Sequence, residues 1–234
     1  MKAALVTGGA RRIGRAICLA LASKGYDVAV HYNRTDPGDV IGEVRAMGMD
    51  SEGFRCDFGD VKSVEGLVRR VTGWRPGLEV LVNSASIFER SPIVDTEAGL
   101  FDRHIGINLR APLLLTRDFA RLCGKGSIVN IVDAKVAGTG SAYAAYLLSK
   151  KALAELTAMA ARELAPGIRV NAVAPGLILP PPGETRDYLE AMAAGVPLAR
   201  TGSPRDVAEA VASLIENEYV TGQVIYVDGG EHLV

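Results

Sequence analysis

Residues 5–17 read LVTGGARRIGRAI: an apolar run, a glycine-rich turn carrying two arginines, then the start of a helix-period segment. A strand that turns through glycine straight into a helix aims main-chain N–H groups and the positive end of the helix dipole at one point. Such a point suits a pyrophosphate, and a glycine turn placed right after the first strand is the pattern of a dinucleotide-binding unit. An ordinary strand–helix turn is the competing reading. Gly8, Ile13 and Gly14 lie on the turn, and Arg12 stands where the extended glycine pattern often has its middle glycine. Arg11 or Arg12 would add a cation facing the phosphates.

Outward from this stretch, short apolar, β-branched runs recur at residues 3–7, 27–31, 51–56, 79–82, 127–132, 168–173 and 224–227. Each reads as a strand buried on both faces. Helix-period segments separate them at 14–24, 39–47, 62–72, 96–122, 143–164 and 204–216, the last opening with Ser203 as cap and Pro204 in the first turn. This alternation predicts an α/β fold: a Rossmann-like, doubly wound parallel sheet of about seven strands with helices on both faces, in a single domain over 1–234. Such sheets bind ligands beyond the carboxyl ends of their strands.

Composition narrows the function classes. With 48% hydrophobic residues, a net charge of −1 and no linker or repeat, the 234 residues suggest a small-molecule protein with neither nucleic acid nor membrane as partner. The start carries no signal-peptide pattern, and no apolar segment reaches about 18 residues, so a cytoplasmic protein is expected. Cys18, Cys56 and Cys123 are odd in number and lack ligand spacing, as do His31, His104 and His232; buried, inert thiols and no metal site are expected.

About 20 residues past the glycine turn, an NAD site usually presents a carboxylate to the ribose 2′-hydroxyl. Residues 30–35 read VHYNRT instead. Arg34 and Thr35, with Asn33, His31 and Arg11, are candidates to hold a 2′-phosphate, which favours NADPH over NADH. Asp36 is counter-evidence, although before Pro37 it reads better as a turn residue. Asp57, just past the third strand, either accepts from the adenine amino group or forms a turn.

A second stretch carries the chemistry. Residues 131–150, IVDAKVAGTGSAYAAYLLSK, end with Tyr146 and Lys150 at i, i+4 on one helix face, and no other tyrosine of the chain has a lysine at that spacing. A free phenol titrates near pH 10, so an adjacent ammonium is expected to bring Tyr146 toward neutrality. Asp133 sits upstream of the pair; catalytic carboxylate and N-cap are its two readings.

The pattern TGxxxxIG at 7–14, LVNSAS at 81–86, the tyrosine–lysine pair, APG at 174–176 and VDGG at 227–230 together resemble the short-chain dehydrogenase/reductase family over essentially the whole chain. The resemblance implies that Lys150 also binds the nicotinamide ribose and that Asn108 holds a proton-relay water, against a packing role for that asparagine. It places Asn83, Ala85 and Ser86 along the adenosine and ribose path and Pro175–Gly176 beside the nicotinamide. It also implies a homotetramer in which helices 96–122 and 143–164 pair across two-fold axes.

Most members of this family carry serine where this chain has Asp133. A carboxylate there opposes the oxyanion that grows in ketone reduction and favours a substrate whose C=N nitrogen gains a proton. TGGARRIG, VHYNRT, NSASIF, VDA and APGL are similar to the pteridine reductases and the related dihydromonapterin and dihydrofolate reductases. In that subset Phe88 would enclose a flat pterin, with plain core as its other reading, and Leu177 would line the substrate site. Ile178, where a serine is common, and a short proline-rich lid over 178–188 depart from the pattern. Three functions compete: an NADPH-dependent pterin or dihydrofolate reductase, a carbonyl reductase such as a 3-oxoacyl thioester reductase, and a non-catalytic nucleotide sensor, which the presence of both Tyr146 and Lys150 opposes.

Overall fold

Ala3–Val6, the first strand (β1), is buried at every position, with Ala4 and Val6 facing one side of the sheet and Ala3 and Leu5 the other. Both faces are covered by helices, so its sequence is continuously apolar instead of alternating. In this computed structural model, residues 2–181, 183 and 185–234 are described, with the main chain alone at Arg186.

The chain continues through α1 (Arg12–Ser23), β2 (Asp27–Tyr32), α2 (Gly38–Ala46), β3 (Ser51–Arg55), α3 (Val61–Glu65), α4 (Leu67–Trp74) and β4 (Leu78–Asn83). Its second half runs α5 (Ala98–Ile105), α6 (Ala111–Cys123), β5 (Gly126–Ile131), α7 (Ala144–Leu164), β6 (Ile168–Pro175), α8 (Arg186–Ala193), α9 (Pro204–Glu216) and β7 (Val224–Val227). The seven strands form one sheet in the order β3-β2-β1-β4-β5-β6-β7, parallel at every pairing. The winding direction reverses between β1 and β4, where a crevice opens beyond the strand ends.

On one face α1, α2 and α9 bury Ile17, Leu21, Val44, Val211 and Leu214 against the sheet. On the other, α3, α4, α6 and α7 bury Leu67, Val71, Leu115, Phe119 and Ala161. Each fully buried large side chain of this kind contributes about 1.5–3 kcal/mol relative to exposure. The expected start of α9 is realised as a capping box between Ser203 and Asp206, with Pro204 in the first turn.

Two expected helices differ in detail, and one helix was not expected. The segment 62–72 is two helices meeting at Gly66. The long segment 96–122 is interrupted by a π-helical turn, Gly106–Arg110, which separates α5 from α6. Such turns insert an extra residue and re-aim side chains, and this one carries Asn108. The unexpected helix is α8, within and just past the proline-rich lid; Pro182 and Glu184 of that lid lie outside the described residues. Cys18 and Cys56 are buried and Cys123 half-buried, all unpaired, and burial raises the pKa of each thiol. Among the described residues no helix is long and apolar enough to cross a membrane, and no group of three or more His, Cys, Asp or Glu side chains is placed to hold a metal.

Candidate active site

A cleft of about 1440 Å³ runs along the carboxyl ends of the strands and is lined by the glycine turn, the ends of β2 to β6 and the lid. At its floor, α1 begins without a side-chain cap and without an acidic residue in its first turn, leaving its N–H groups and dipole available to an anion. Gly14 packs so closely under the turn that a Cβ there would stand 2.2 Å from the Gly8 carbonyl oxygen. Arg12, in the middle-glycine position, takes the left-handed φ of 54° that glycine would adopt without strain. Its guanidinium donates to the Pro180 carbonyl at 2.8 Å and so ties the turn to the lid; Arg11 is exposed at the helix start. Uncapped donors, close packing and two cations fit a dinucleotide pyrophosphate.

At the β2 end, Asn33, Arg34 and Thr35 line the cleft, the last two exposed. Asp36 instead accepts from the Gly38 N–H at 3.0 Å, the turn role. Asp57 accepts from the Gly59 N–H at 2.9 Å, which makes it a turn residue that also lines the cleft. His31 corrects the expectation of a phosphate ligand. Its Nδ1 accepts from the Gly8 N–H at 3.0 Å, its Nε2 lies 3.0 Å from the Cys56 carbonyl, and the ring stacks on Phe58. Burial lowers its pKa to about 4, so it braces the glycine turn as a neutral ring and offers no positive charge.

Midway along the cleft, Ala85 and Ser86 line the wall beyond β4, but Asn83 does not. Its amide is buried in the sheet and donates to Asn130 at 2.8 Å, since at the strand's last position the side chain points to a helix-covered face. Thr7, which the sequence reading passed over, holds this wall: its hydroxyl accepts from the N–H groups of Ser84 and Ala85 at 2.9 and 3.0 Å. Its place beside Gly8 was the available signal. The side chain of Asn108 is also committed to protein. It accepts from Ile87 N–H and the Ser86 hydroxyl and donates to the Ile87 carbonyl and the Ser149 hydroxyl, at 3.0–3.2 Å. The amide therefore clamps the wall to α7 and is not free to hold a relay water.

At the far end the chemistry-bearing groups converge. Tyr146 donates to Asp133 Oδ2 at 2.7 Å, and Asp133 Oδ1 accepts from Lys135 N–H at 2.8 Å, capping the 3-10 turn Ala134–Ala137. The N-cap reading of Asp133 therefore holds, and the same carboxylate also meets the phenol. Lys150, buried, donates to the Ile131 carbonyl at 2.8 Å and lies 5.8 Å from the Tyr146 ring centre. Burial lowers its pKa to about 8, partly offset by the charge of Asp133. Burial first, then the charge and hydrogen bond of Asp133, raise Tyr146 well above 10. This reverses the expected lowering, because burial disfavours the phenolate and the carboxylate that touches the phenol adds to it. Tyr146 is held in its protonated form, its hydroxyl donating to Asp133.

Phe88 stands edge-on to Tyr146, with ring centres 4.7 Å apart, and its face stacks on Tyr143 at 4.3 Å. Tyr143 was not singled out from the sequence, though its position one helical turn before Tyr146 was a signal. Ser91 had no such signal, yet its hydroxyl accepts from the Ala145 N–H at 3.1 Å and caps α7 from a distant segment. Pro175, Gly176 and Leu177 line the cleft after β6, and Ile178, where serine was noted as common, is buried against the core. Tyr188, Leu189 and Met192 of α8 form the roof.

A family model described as enoyl-(acyl carrier protein) reductase matches residues 8–232. The 3-oxoacyl-[acyl-carrier-protein] reductase FabG of Staphylococcus aureus is 35% identical over 251 residues, covering 99% of this chain and 98% of its own length. Among solved structures, FolM alternative dihydrofolate reductase 1 from Brucella suis, in complex with NADP, has a TM-score of 0.95 and 36% identity over 100% of this chain and 96% of that one. Acetoin dehydrogenase YohF from Salmonella typhimurium gives 0.91 and 28% over 100% of this chain and 98% of that one. With a glycine turn, a tyrosine–lysine pair and a parallel sheet matched from end to end, the chain belongs to the short-chain dehydrogenase/reductase family.

Proposed function

We propose that the protein reduces a C=N bond of a pterin or dihydrofolate with NADPH. The observation that carries this reading is the 2.7 Å hydrogen bond from Tyr146 to Asp133, which puts a carboxylate where a ketone's oxyanion would otherwise be received. A second reading, reduction of a 3-oxoacyl thioester, is favoured by the resemblance to FabG.

The glycine turn, Arg11 and the start of α1 would hold the pyrophosphate, Asn33, Arg34 and Thr35 the 2′-phosphate, and Lys150 the nicotinamide ribose. When bound, NADPH supplies the hydride. The chain supplies the proton and the fit: Tyr146 holds a proton on its hydroxyl, Asp133 keeps it there, and together they deliver it to the substrate nitrogen. Asp133 also stabilises the positive charge that grows on that nitrogen. Phe88, backed by Tyr143, offers a flat wall for a ring, and α8 excludes water from above. A homotetramer belongs to the same reading, carried by the family resemblance; Leu148 and Met159 stand exposed on α7, one of the helices expected to pair. A single-chain mass in light scattering would overturn it.

The test is NADPH oxidation with dihydrobiopterin, dihydromonapterin, dihydrofolate and an acetoacetyl thioester side by side. Turnover of a pterin or folate is expected; turnover of the thioester alone gives the second reading first place. NADPH should exceed NADH by at least about tenfold in kcat/KM, because a charge-assisted phosphate contact is worth about 1.5–3 kcal/mol. Arg34→Ala should erase most of that preference with NADH kinetics nearly unchanged. An equal loss with NADH would make Arg34 structural.

A further inference from the structure

Asp133 stands at the start of a turn whose far end is held by a side chain outside the cleft. The turn, Ala134–Ala137, closes through two backbone bonds, from Val136 N–H to the Asp133 carbonyl at 3.1 Å and from Gly138 N–H to the Lys135 carbonyl at 3.0 Å. Carbonyls at the end of a helical turn run out of backbone donors and take others. Here the donor is Lys151, half-buried on α7, whose ammonium donates to the Val136 carbonyl at 2.6 Å and to the Gly138 carbonyl at 2.8 Å. Lys151 does not line the cleft; of the two adjacent lysines only Lys150 does.

Tyr146 and Lys151 belong to one helix and move as one body. The turn is fastened to that body at both ends: Asp133 Oδ2 receives the Tyr146 hydroxyl at 2.7 Å in front, and Lys151 grips the two carbonyls behind. Between them Val136 packs against the apolar cluster of Val132 and Leu153. With the rear bonds removed, the turn can swing about its front end and carry the carboxylate with it. A displacement of about 1 Å, caused by a residue away from the chemistry, can cost on the order of 100-fold in rate.

We infer that Lys151 is a positioning residue, which ties Val136 and Gly138 to α7 and so holds the Asp133 carboxylate against the Tyr146 hydroxyl. This rests on the proton-delivering role given to Asp133 in the proposed reaction.

The test is steady-state reduction of whichever of dihydrobiopterin, dihydromonapterin and dihydrofolate is turned over fastest, with NADPH binding measured separately as the control for fold and cofactor site. Lys151→Met should lower kcat by roughly 10–100-fold, with KM and NADPH affinity within about twofold. Lys151→Arg, whose planar fork can reach two carbonyls, should stay within about threefold. The deciding readout is the double variant. In an Asp133→Ala background, adding Lys151→Met should slow the enzyme by less than about twofold, because no carboxylate is left to position. A lysine with a general structural role would slow both backgrounds by the same factor, and that result overturns the assignment. If the methionine variant does not fold, Lys151→Gln, which keeps a donor on a stem too short to reach both carbonyls, carries the same comparison. Unchanged kcat in Lys151→Met, or in Lys151→Gln where methionine does not fold, beside a slow Asp133→Ala overturns the assignment and leaves the proposed reaction intact. Full activity in Asp133→Ala, or an unmodified protein that turns over none of the three, overturns both.

Discussion

Replacing Asp133 by alanine is expected to lower kcat on a dihydropterin by roughly 10²–10⁴, the range for an acid–base group, with little change in NADPH affinity. The carboxylate has two duties that must be separated. Its Oδ1 caps the turn at Ala134–Ala137 and its Oδ2 receives the Tyr146 hydroxyl. Loss of the cap alone costs about 0.5–2 kcal/mol of stability, so Asp133→Ala should melt a few degrees lower. Asp133→Asn keeps the capping oxygen and removes the charge; it should melt near the unmodified protein yet share most of the loss in kcat. Asp133→Ser should differ in kind. It restores the donor that most of the family offers a carbonyl and removes the charge opposing an oxyanion, so activity on an oxoacyl thioester should rise as pterin reduction falls. Full pterin activity in Asp133→Ala would show that this carboxylate does not select the substrate.

Tyr146→Phe should cost roughly the same 10²–10⁴ in kcat, because the group that touches the reacting atom loses its proton. The ring should keep its edge contact with Phe88, so substrate and cofactor binding should move little. Since Tyr146 and Asp133 act as one unit, the double variant should be hardly slower than the slower single variant. Losses that multiply would show that the two groups work independently. The unmodified enzyme should also lose activity as pH rises through about 8, where Lys150, its pKa lowered by burial, gives up its charge. The sign follows from the group: lysine is cationic below its pKa, and Tyr146, raised well above 10, remains a phenol through that window. Activity that climbs steadily past pH 9 would mean that the charge of Lys150 is not required.

What could be read early was local. Tyr146 and Lys150 are four residues apart on one helix, and Asp133 precedes them by one strand–helix connection, so sequence spacing carries most of their geometry. The Ser203 capping box is local in the same sense. His31 illustrates the opposite case: its place near the 2′-phosphate corner was legible, but both its ring nitrogens are taken by groups more than 20 residues away. The water-holding role of Asn108 comes from the family resemblance alone; its partners Ile87 and Ser149 reach it only through the π turn and the packing of α7.

The sequence by itself determined the parallel sheet, the helices on both faces and the end of the sheet at which ligands bind, because strands buried on both sides must be written as unbroken apolar runs and the glycine turn must follow the first of them. Only the tertiary structure decided which polar groups in the cleft remain free. Folding spent His31, Asn83 and the Asn108 side chain on bracing the walls and committed Asp36 to a turn at the 2′-phosphate corner. The direction of the Tyr146 pKa was decided there too, since a charge acts through distance and solvent exposure, and one-dimensional spacing records neither.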